Sequence, residues 1–308
     1  MRVTPEIRPS PPPPADSLRT GVDGAPLSYP AMPEPIGLIA GHGQLPLLQA
    51  RGIHKAGHPV ACVGLADQYD AALPPMCDRF AEAGIIRIGR WIRLLRRWGV
   101  RQAVMIGTVR KARMYEPMRL VRQMPDWRAA RLWYRVLRHD KRSQALLAAV
   151  ADELGRWGIE LIDTTRYIPD HLAEPGVLTR RKPNSSQWRD IAFAWPILMA
   201  MNELDIGQAI AVKERDVIAV EAIEGTDAMI ARAGELCPAG GWVLVKGAPR
   251  DKDLRFDVPT VGVRTIEHLK HAGGTCLVLA AGRVILADRP KVIQAADAAG
   301  IAIVGQQL

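Results

Sequence analysis

The sequence predicts an α/β protein, with an N-terminal Rossmann-like parallel-sheet domain followed by a C-terminal mixed α/β domain. Three observations carry that expectation. Short apolar runs alternate with helical patterns from Ile36 to about Asp163, the spacing expected of βα units around a parallel sheet. From about Thr165 this alternation gives way to strand-like runs of a mixed sheet, two of them joined by a charged turn. The four cysteines, Cys62, Cys77, Cys237 and Cys276, are widely spaced without a CxxC pair, so neither a disulfide scaffold nor a zinc ribbon competes. The expected domains are residues 1–34 as a tail, 35–164 and 165–308.

Residues 1–34 are Pro-rich without apolar periodicity, and such a segment buries too little surface to offset chain entropy. Order is expected from Ile36. Ile36–Ala40 reads as a buried strand, and the following helix opens at Pro46, where a missing N–H costs nothing. Val60–Leu65 and Val100–Ile106 read as further strands around a helix at Arg90–Trp98. A helical stretch from about Trp127 to Trp157 then leads to a strand at Ile159–Asp163. In the second half, Gly176–Pro183 reads as a loop and the 190s as a helix. Strands are expected at Ala209–Lys213, Val217–Ile223, Gly241–Lys246 and Val258–Val263. Ile266–Ala272 reads as a helix, Cys276–Ala281 and Val284–Ala287 as a hairpin around Gly282, Pro290–Ala299 as a helix and Ile301–Val304 as the last strand.

Charge is unevenly placed. The chain has 41 Lys+Arg against 32 Asp+Glu, a formal net charge of +9. Between Arg87 and Arg142 stand seventeen basic residues and three acids, with Trp91, Trp98, Trp127 and Trp133 among them. Such a belt suits a polyanion or an anionic membrane surface, and equally a set of solvated helix faces. The longest apolar run, Ile191 to Met201, contains Pro196 and is shorter than the roughly 20 residues a membrane span needs. The N-terminus lacks the apolar core of a secretory signal. A protein of the cytoplasm, with a peripheral membrane contact left open, is the expectation.

Gly41-His42-Gly43 between a strand and a helix resembles a phosphate loop, although Pro46 stands where a third glycine belongs. A tight turn explains the same residues. His268 and His271 lack a third ligand of matching softness and read as surface or capping histidines. Ser185 and Ser186 sit in a loop without a paired histidine, so acyl transfer is unsupported. The segment Val220-Glu221-Ala222-Ile223-Glu224-Gly225-Thr226-Asp227-Ala228-Met229 is the most informative. Three carboxylates at a strand-to-helix corner are placed to converge on a hard cation such as Mg²⁺. Plain N-capping by Thr226 or Asp227 with exposed glutamates is the competing account. Downstream, Lys246 ends a strand, and alternation sets Asp253, Arg255 and Asp257 on one strand face.

GLIAGHGQLP (Gly37–Pro46), LDIGQ (Leu204–Gln208), VEAIEGTDAMI (Val220–Ile230), LVK (Leu244–Lys246), DLRFDVPTVG (Asp253–Gly262) and AD-x-x-GI-x-IVG (Ala296–Gly305) resemble the UDP-2,3-diacylglucosamine pyrophosphatases of the LpxI type, from about Ile36 to Gly305. The resemblance implies a Mg²⁺-dependent cytoplasmic hydrolase of lipid A biosynthesis. Its substrate would be a UDP-linked diacylated amino sugar, cleaved to UMP and 2,3-diacylglucosamine 1-phosphate, with the lipid between two domains. Asp227 matches the family's essential aspartate. On that basis Asp227 is expected to bind Mg²⁺ or orient the attacking water, assisted by Glu221 or Glu224. Lys246 and Arg255 would neutralise the diphosphate, Gly41 and Gly43 would offer amides, and Gln208, Thr226, Asp253 and Asp257 would contact substrate. No nucleic-acid partner is implied, and a homodimer stays open. Relatives usually carry K-x-x-K-P-x-Q-D, and this chain has Pro249 in place of the motif's second lysine, with Arg250 one position later. A binding protein that uses the basic belt, or a pyrophosphatase for another nucleotide-linked lipid, are the alternatives.

Overall fold

In a computed structural model the described residues are 33–109, 127, 134, 143–249, 253–255 and 258–307. The first sheet has strand order β3-β2-β1-β4-β5, built from β1 (Ile36–Ala40), β2 (Val60–Leu65), β3 (Arg79–Ala83), β4 (Gln102–Ile106) and β5 (Glu160–Leu161). Every pair in it is parallel. All residues of β1 and β2 are buried, which is why both read as continuous apolar runs rather than alternating ones. Helix α1 (Gln44–Lys55) starts two residues before Pro46, and Pro46 stays within the first turn, where no N–H is needed. Helix α2 (Ile88–Arg97) buries Ile88, Trp91, Ile92 and Leu95. That i, i+3, i+4, i+7 stripe turns Arg90, Arg93, Arg96 and Arg97 outward.

The basic belt is therefore partly core. Trp91 is buried and its Nε1 donates to the Gly84 carbonyl at 3.0 Å, while Trp98 packs against the same cluster. Trp127 is exposed, and Trp133 lies outside the described residues, as do residues 128–133 and 135–142 of the expected 127–157 helix. What is described of that helix is α3 (Ser143–Gly155).

Strand β3 has no apolar run to announce it, because its sequence is Arg-Phe-Ala-Glu-Ala. Charged residues are the usual protection of a sheet edge. Its entry is pinned by Asp78, whose Oδ2 accepts from the Val60 N–H at 2.7 Å and lies 2.8 Å from His54 Nε2. The His54 contact, then the Val60 N–H, holds the Asp78 carboxyl below the usual aspartate value. A lowered carboxyl stabilises the fold above its unfolded pKa, and that contribution disappears as pH falls through the folded value. Asp78→Asn is expected to cost about 1 kcal/mol near neutral pH, with the difference vanishing in acid. Chemical denaturation of both proteins at several pH values measures this.

The second sheet has strand order β6-β13-β11-β9-β7-β8, where β6 is Gly176–Val177, β7 Ala209–Lys213, β8 Asp216–Val220, β9 Trp242–Lys246, β11 Gly274–Ala280 and β13 Ala302–Gln306. Strands β13, β11 and β9 run parallel, and β6, β7 and β8 pair antiparallel, so the sheet is mixed. Helix α4 (Ser185–Glu203) opens with a capping box between Asn184 and Gln187, so Ser185 and Ser186 are its first residues rather than loop. Its Ile191, Ala194 and Leu198 pack with Ile210, Val245 and Val278. Helices α5 (Thr226–Leu236), α6 (Val263–His271) and α7 (Arg289–Ala299) join the cluster on the other side, with Trp242, Leu244, Leu277 and Ile303.

Two local expectations are corrected. No hairpin forms around Gly282. Strand β12 (Ile285–Leu286) leaves β11 and pairs in parallel with β10 (Thr260–Val261). Gly282 N–H bonds to Ala173 and Ile285 N–H to Pro259, so Ile285 enters the cluster with Ile36, Leu38 and Ile53 while Leu286 enters that of the second sheet. Opposite burial of neighbouring residues overrides hairpin pairing. Likewise Asp253–Arg255 is a turn and not a strand, and Asp257 lies outside the described residues.

Residues Glu34–Leu308 form one compact unit. The buried Ile285 ties its two sheets together, and Lys55 bonds Asp170 at 3.0 Å. A Cβ on Gly52 of α1 would collide with the Tyr167 carbonyl oxygen. Gly→Ala within a helix ordinarily gains about 1 kcal/mol. Here Gly52→Ala is expected to lower stability by about 1–3 kcal/mol, read as a fall in Tm.

Candidate active site

The corner between β8 and α5 carries Glu221, Glu224, Thr226 and Asp227, four of the polar residues that the sequence singles out. Strand β8 stops at Val220, three residues earlier than expected. Beyond it Glu221 N–H still bonds the Ala209 carbonyl at 2.9 Å, while Ile223 turns fully to solvent. Gly225, with φ 84°, is the N-cap of α5, and no side chain caps it. Thr226 and Asp227 are thus released from capping. Thr226 Oγ1 donates to Glu221 Oε1 at 2.9 Å and accepts from Lys246 Nζ at 2.6 Å. Glu221 is 5% exposed and Lys246 4%, so an ammonium, a hydroxyl and a carboxylate form a buried chain at the carboxyl end of β9. Burying two charges is tolerable only with such opposite-charge and hydrogen-bond compensation. Glu221 Oε2 is nevertheless buried with no hydrogen-bond partner, an acceptor left for a ligand or a water.

Asp227 points elsewhere. It occupies the first turn of α5, where a carboxylate is favoured by the helix dipole. Its Oδ2 accepts from Arg264 Nη2 at 2.6 Å and its Oδ1 lies 3.3 Å from His268 Nδ1. Arg264 and His268 stand four residues apart on α6, hence on one face. Glu224 turns to a third place: its Oε2 accepts from Ala222 N–H at 3.2 Å and its Oε1 from Arg232 at 2.7 Å. Its own backbone N–H, then Arg232, holds its carboxyl below the ordinary value. The three carboxylates therefore do not converge on one point. Each faces its own partner.

The remaining expected residues divide by location. Gln208 adjoins Lys246 through its carbonyl, which accepts Gly247 N–H at 3.0 Å, and its side-chain Oε1 is buried without a partner. Gly41 packs against another backbone: a Cβ there would lie 2.9 Å from Gly107 C and from Thr108 O. His42 and Thr108 exchange N–H···O bonds at 2.9 Å in each direction. The close crossing of two chain segments accounts for Gly41. Gly43, with φ 108°, opens α1 and has empty space beside it. Asp253 and Arg255 pair with each other at 2.6 Å. Arg255 also lines a cavity of about 860 Å³ with Glu34, Arg101, Gln102 and Glu160, at the amino ends of β1, β4 and β5. Gly41 and Gly43 follow the carboxyl end of β1, and five residues of strand span about 17 Å. Arg255 and the Gly41–Gly43 turn therefore sit at opposite ends of that sheet, which corrects the expectation that they act together on one diphosphate.

Sequence reasoning set His268 aside and gave Arg264 no role. Their i, i+4 spacing was the available signal, but nothing in it pointed to Asp227 thirty-seven residues upstream. Among the described residues no group of three His, Cys, Asp or Glu side chains is arranged to hold a metal ion. Mg²⁺ takes one or two carboxylates and completes its shell with water and substrate phosphate. Asp227, its side chain 41% exposed, offers two hard oxygens of that kind. The donor set fits Mg²⁺ when substrate supplies the other oxygens and Arg264 yields Oδ2.

The family model described as LpxI N-terminal domain matches residues 35–171, and that described as LpxI C-terminal domain matches residues 174–304. The chain belongs to the LpxI family. It is 33% identical over 280 residues to the UDP-2,3-diacylglucosamine pyrophosphatase LpxI of Caulobacter vibrioides, an alignment covering 88% of this chain and 96% of that one. Gln208, Glu221, Thr226, Asp227, Lys246, Arg264 and His268 all fall within the LpxI C-terminal match.

Proposed function

We propose that this LpxI-family protein hydrolyses the diphosphate of UDP-2,3-diacylglucosamine to UMP and 2,3-diacylglucosamine 1-phosphate in lipid A biosynthesis. The observation that carries the reading is Asp227 at the N-terminus of α5, beside the buried Lys246–Thr226–Glu221 chain. Diphosphate hydrolysis is governed by positioning and by stabilising charge on phosphoryl oxygens. Lys246 supplies a fixed cation there, and Thr226 fixes its direction. Glu221 balances the lysine's charge across the Thr226 hydroxyl, and its spare Oε2 accepts from a substrate hydroxyl. Asp227 holds Mg²⁺ or orients the attacking water. Bound Mg²⁺ would neutralise phosphate oxygens. Water adds to one phosphorus, the P–O–P bridge breaks, and both products leave as phosphate monoesters.

Residues from 165 onward form the catalytic lobe in this reading, and residues 35–164 form the lobe that covers the substrate. No helix among the described residues is long and apolar enough to cross a membrane. Contact with the inner membrane surface would be peripheral, through the outward arginines of α2, in a cytoplasmic protein. The test is release of UMP from the diacylated sugar nucleotide with Mg²⁺ and with EDTA. Mg²⁺-dependent release is expected. No release under either condition overturns the function, and full release in EDTA overturns the metal.

A further inference from the structure

Arg264 is the cation closest to Asp227, yet its side chain is 76% exposed. An exposed ion pair gains at most about 1 kcal/mol, so the Asp227 contact is easily exchanged. Helices α5 and α6 lie side by side in the same direction: Asp227 near the start of α5 meets Arg264 and His268, and a Cβ on Gly234 further along would meet Ala272 at the end of α6. Their N-termini therefore share one end, the end at which Thr226 meets Lys246. Two helix N-termini, a lysine and an arginine favour an anion there. The orphaned Glu221 Oε2 lies beside Thr226 at this end and calls for a donor, which a substrate hydroxyl or a water supplies and a phosphate oxygen does not.

We infer that Arg264 is a diphosphate ligand held on Asp227 while the site is empty. The inference rests on the functional reading above. When the site loads, the guanidinium leaves Asp227 Oδ2 for a phosphate oxygen, and the freed carboxylate becomes available for cation or water. Guanidinium suits this exchange because its planar fork bonds carboxylate and phosphate with the same geometry. No covalent bond changes. The Asp227 pair is thus a placeholder, and Arg264 and Mg²⁺ compete for it before substrate arrives but cooperate afterwards.

The test compares wild type, Arg264→Ala and Arg264→Lys, with UDP as the probe in EDTA and with the diacylated substrate in Mg²⁺. Arg264→Ala is expected to weaken UDP binding in EDTA at least tenfold by calorimetry. It should also lower kcat/KM by about 10–100-fold and reduce the Mg²⁺ concentration giving half-maximal rate. Arg264→Lys should recover part of the UDP affinity. The high exposure of the side chain leaves folding intact, which an unchanged Tm verifies. Unchanged UDP affinity in Arg264→Ala overturns the role of Arg264, whatever the wild-type activity. A wild type that binds UDP through Arg264 but releases no UMP overturns the functional reading and leaves the ligand role standing.

Discussion

Asp227→Asn is expected to lower UMP release by about 10³-fold, the scale on which removal of a preorganised electrostatic group acts, while Tm moves little. Asn keeps the size of the side chain and a hydrogen-bonding oxygen but loses the charge. The stability cost stays small because Asp227 and Arg264 are both substantially exposed, and exposed pairs contribute about 0–1 kcal/mol. Steady-state assays and thermal melts on the same preparation separate the two effects. A loss of activity matched by unfolding would assign Asp227 to structure instead.

Lys246→Met carries the second large effect, and on both axes. Glu221 and Lys246 are almost wholly buried and share the Thr226 hydroxyl. Removing the cation alone leaves a buried carboxylate uncompensated, which costs about 3–5 kcal/mol, and activity falls with it. Adding Glu221→Gln removes the stranded charge. The double variant is expected to recover most of the stability and none of the activity. Denaturant titrations of the two single variants and the double variant close the cycle. A double variant that stayed as unstable as Lys246→Met would mean that charge compensation is not what the chain provides.

Most of the fold was legible because burial on both faces leaves continuous apolar runs: β1, β2, β7 and β9 were read within a residue or two. What escaped was decided by distant partners. Strand β3 is a charged edge strand held by Asp78 and by the Tyr69–Phe80 ring contact, and neither leaves a local pattern. The hairpin at Gly282 failed because Ile285 and Leu286 are claimed by different clusters. At the site, the EGTD corner itself pointed to Glu221, Thr226 and Asp227, and Lys246 was visible as the polar end of an apolar strand. Their grouping was not. Spacing along the chain says that three carboxylates are near one another but not which way each turns, and Arg232, Arg264 and Thr226 settle those directions. Gly41 shows the opposite case, where a phosphate-loop pattern arises from the backbone of Gly107 pressing against it.

In the proposed mechanism the diphosphate sits at the end of β9, where α5 and α6 begin. A crystal structure of the Asp227→Asn protein with UDP-2,3-diacylglucosamine bound tests it most directly. Phosphate oxygens are expected in contact with Lys246 and Arg264, beside Thr226. Diphosphate density at the Gly43 turn, or in the cavity lined by Arg101 and Arg255, would contradict it.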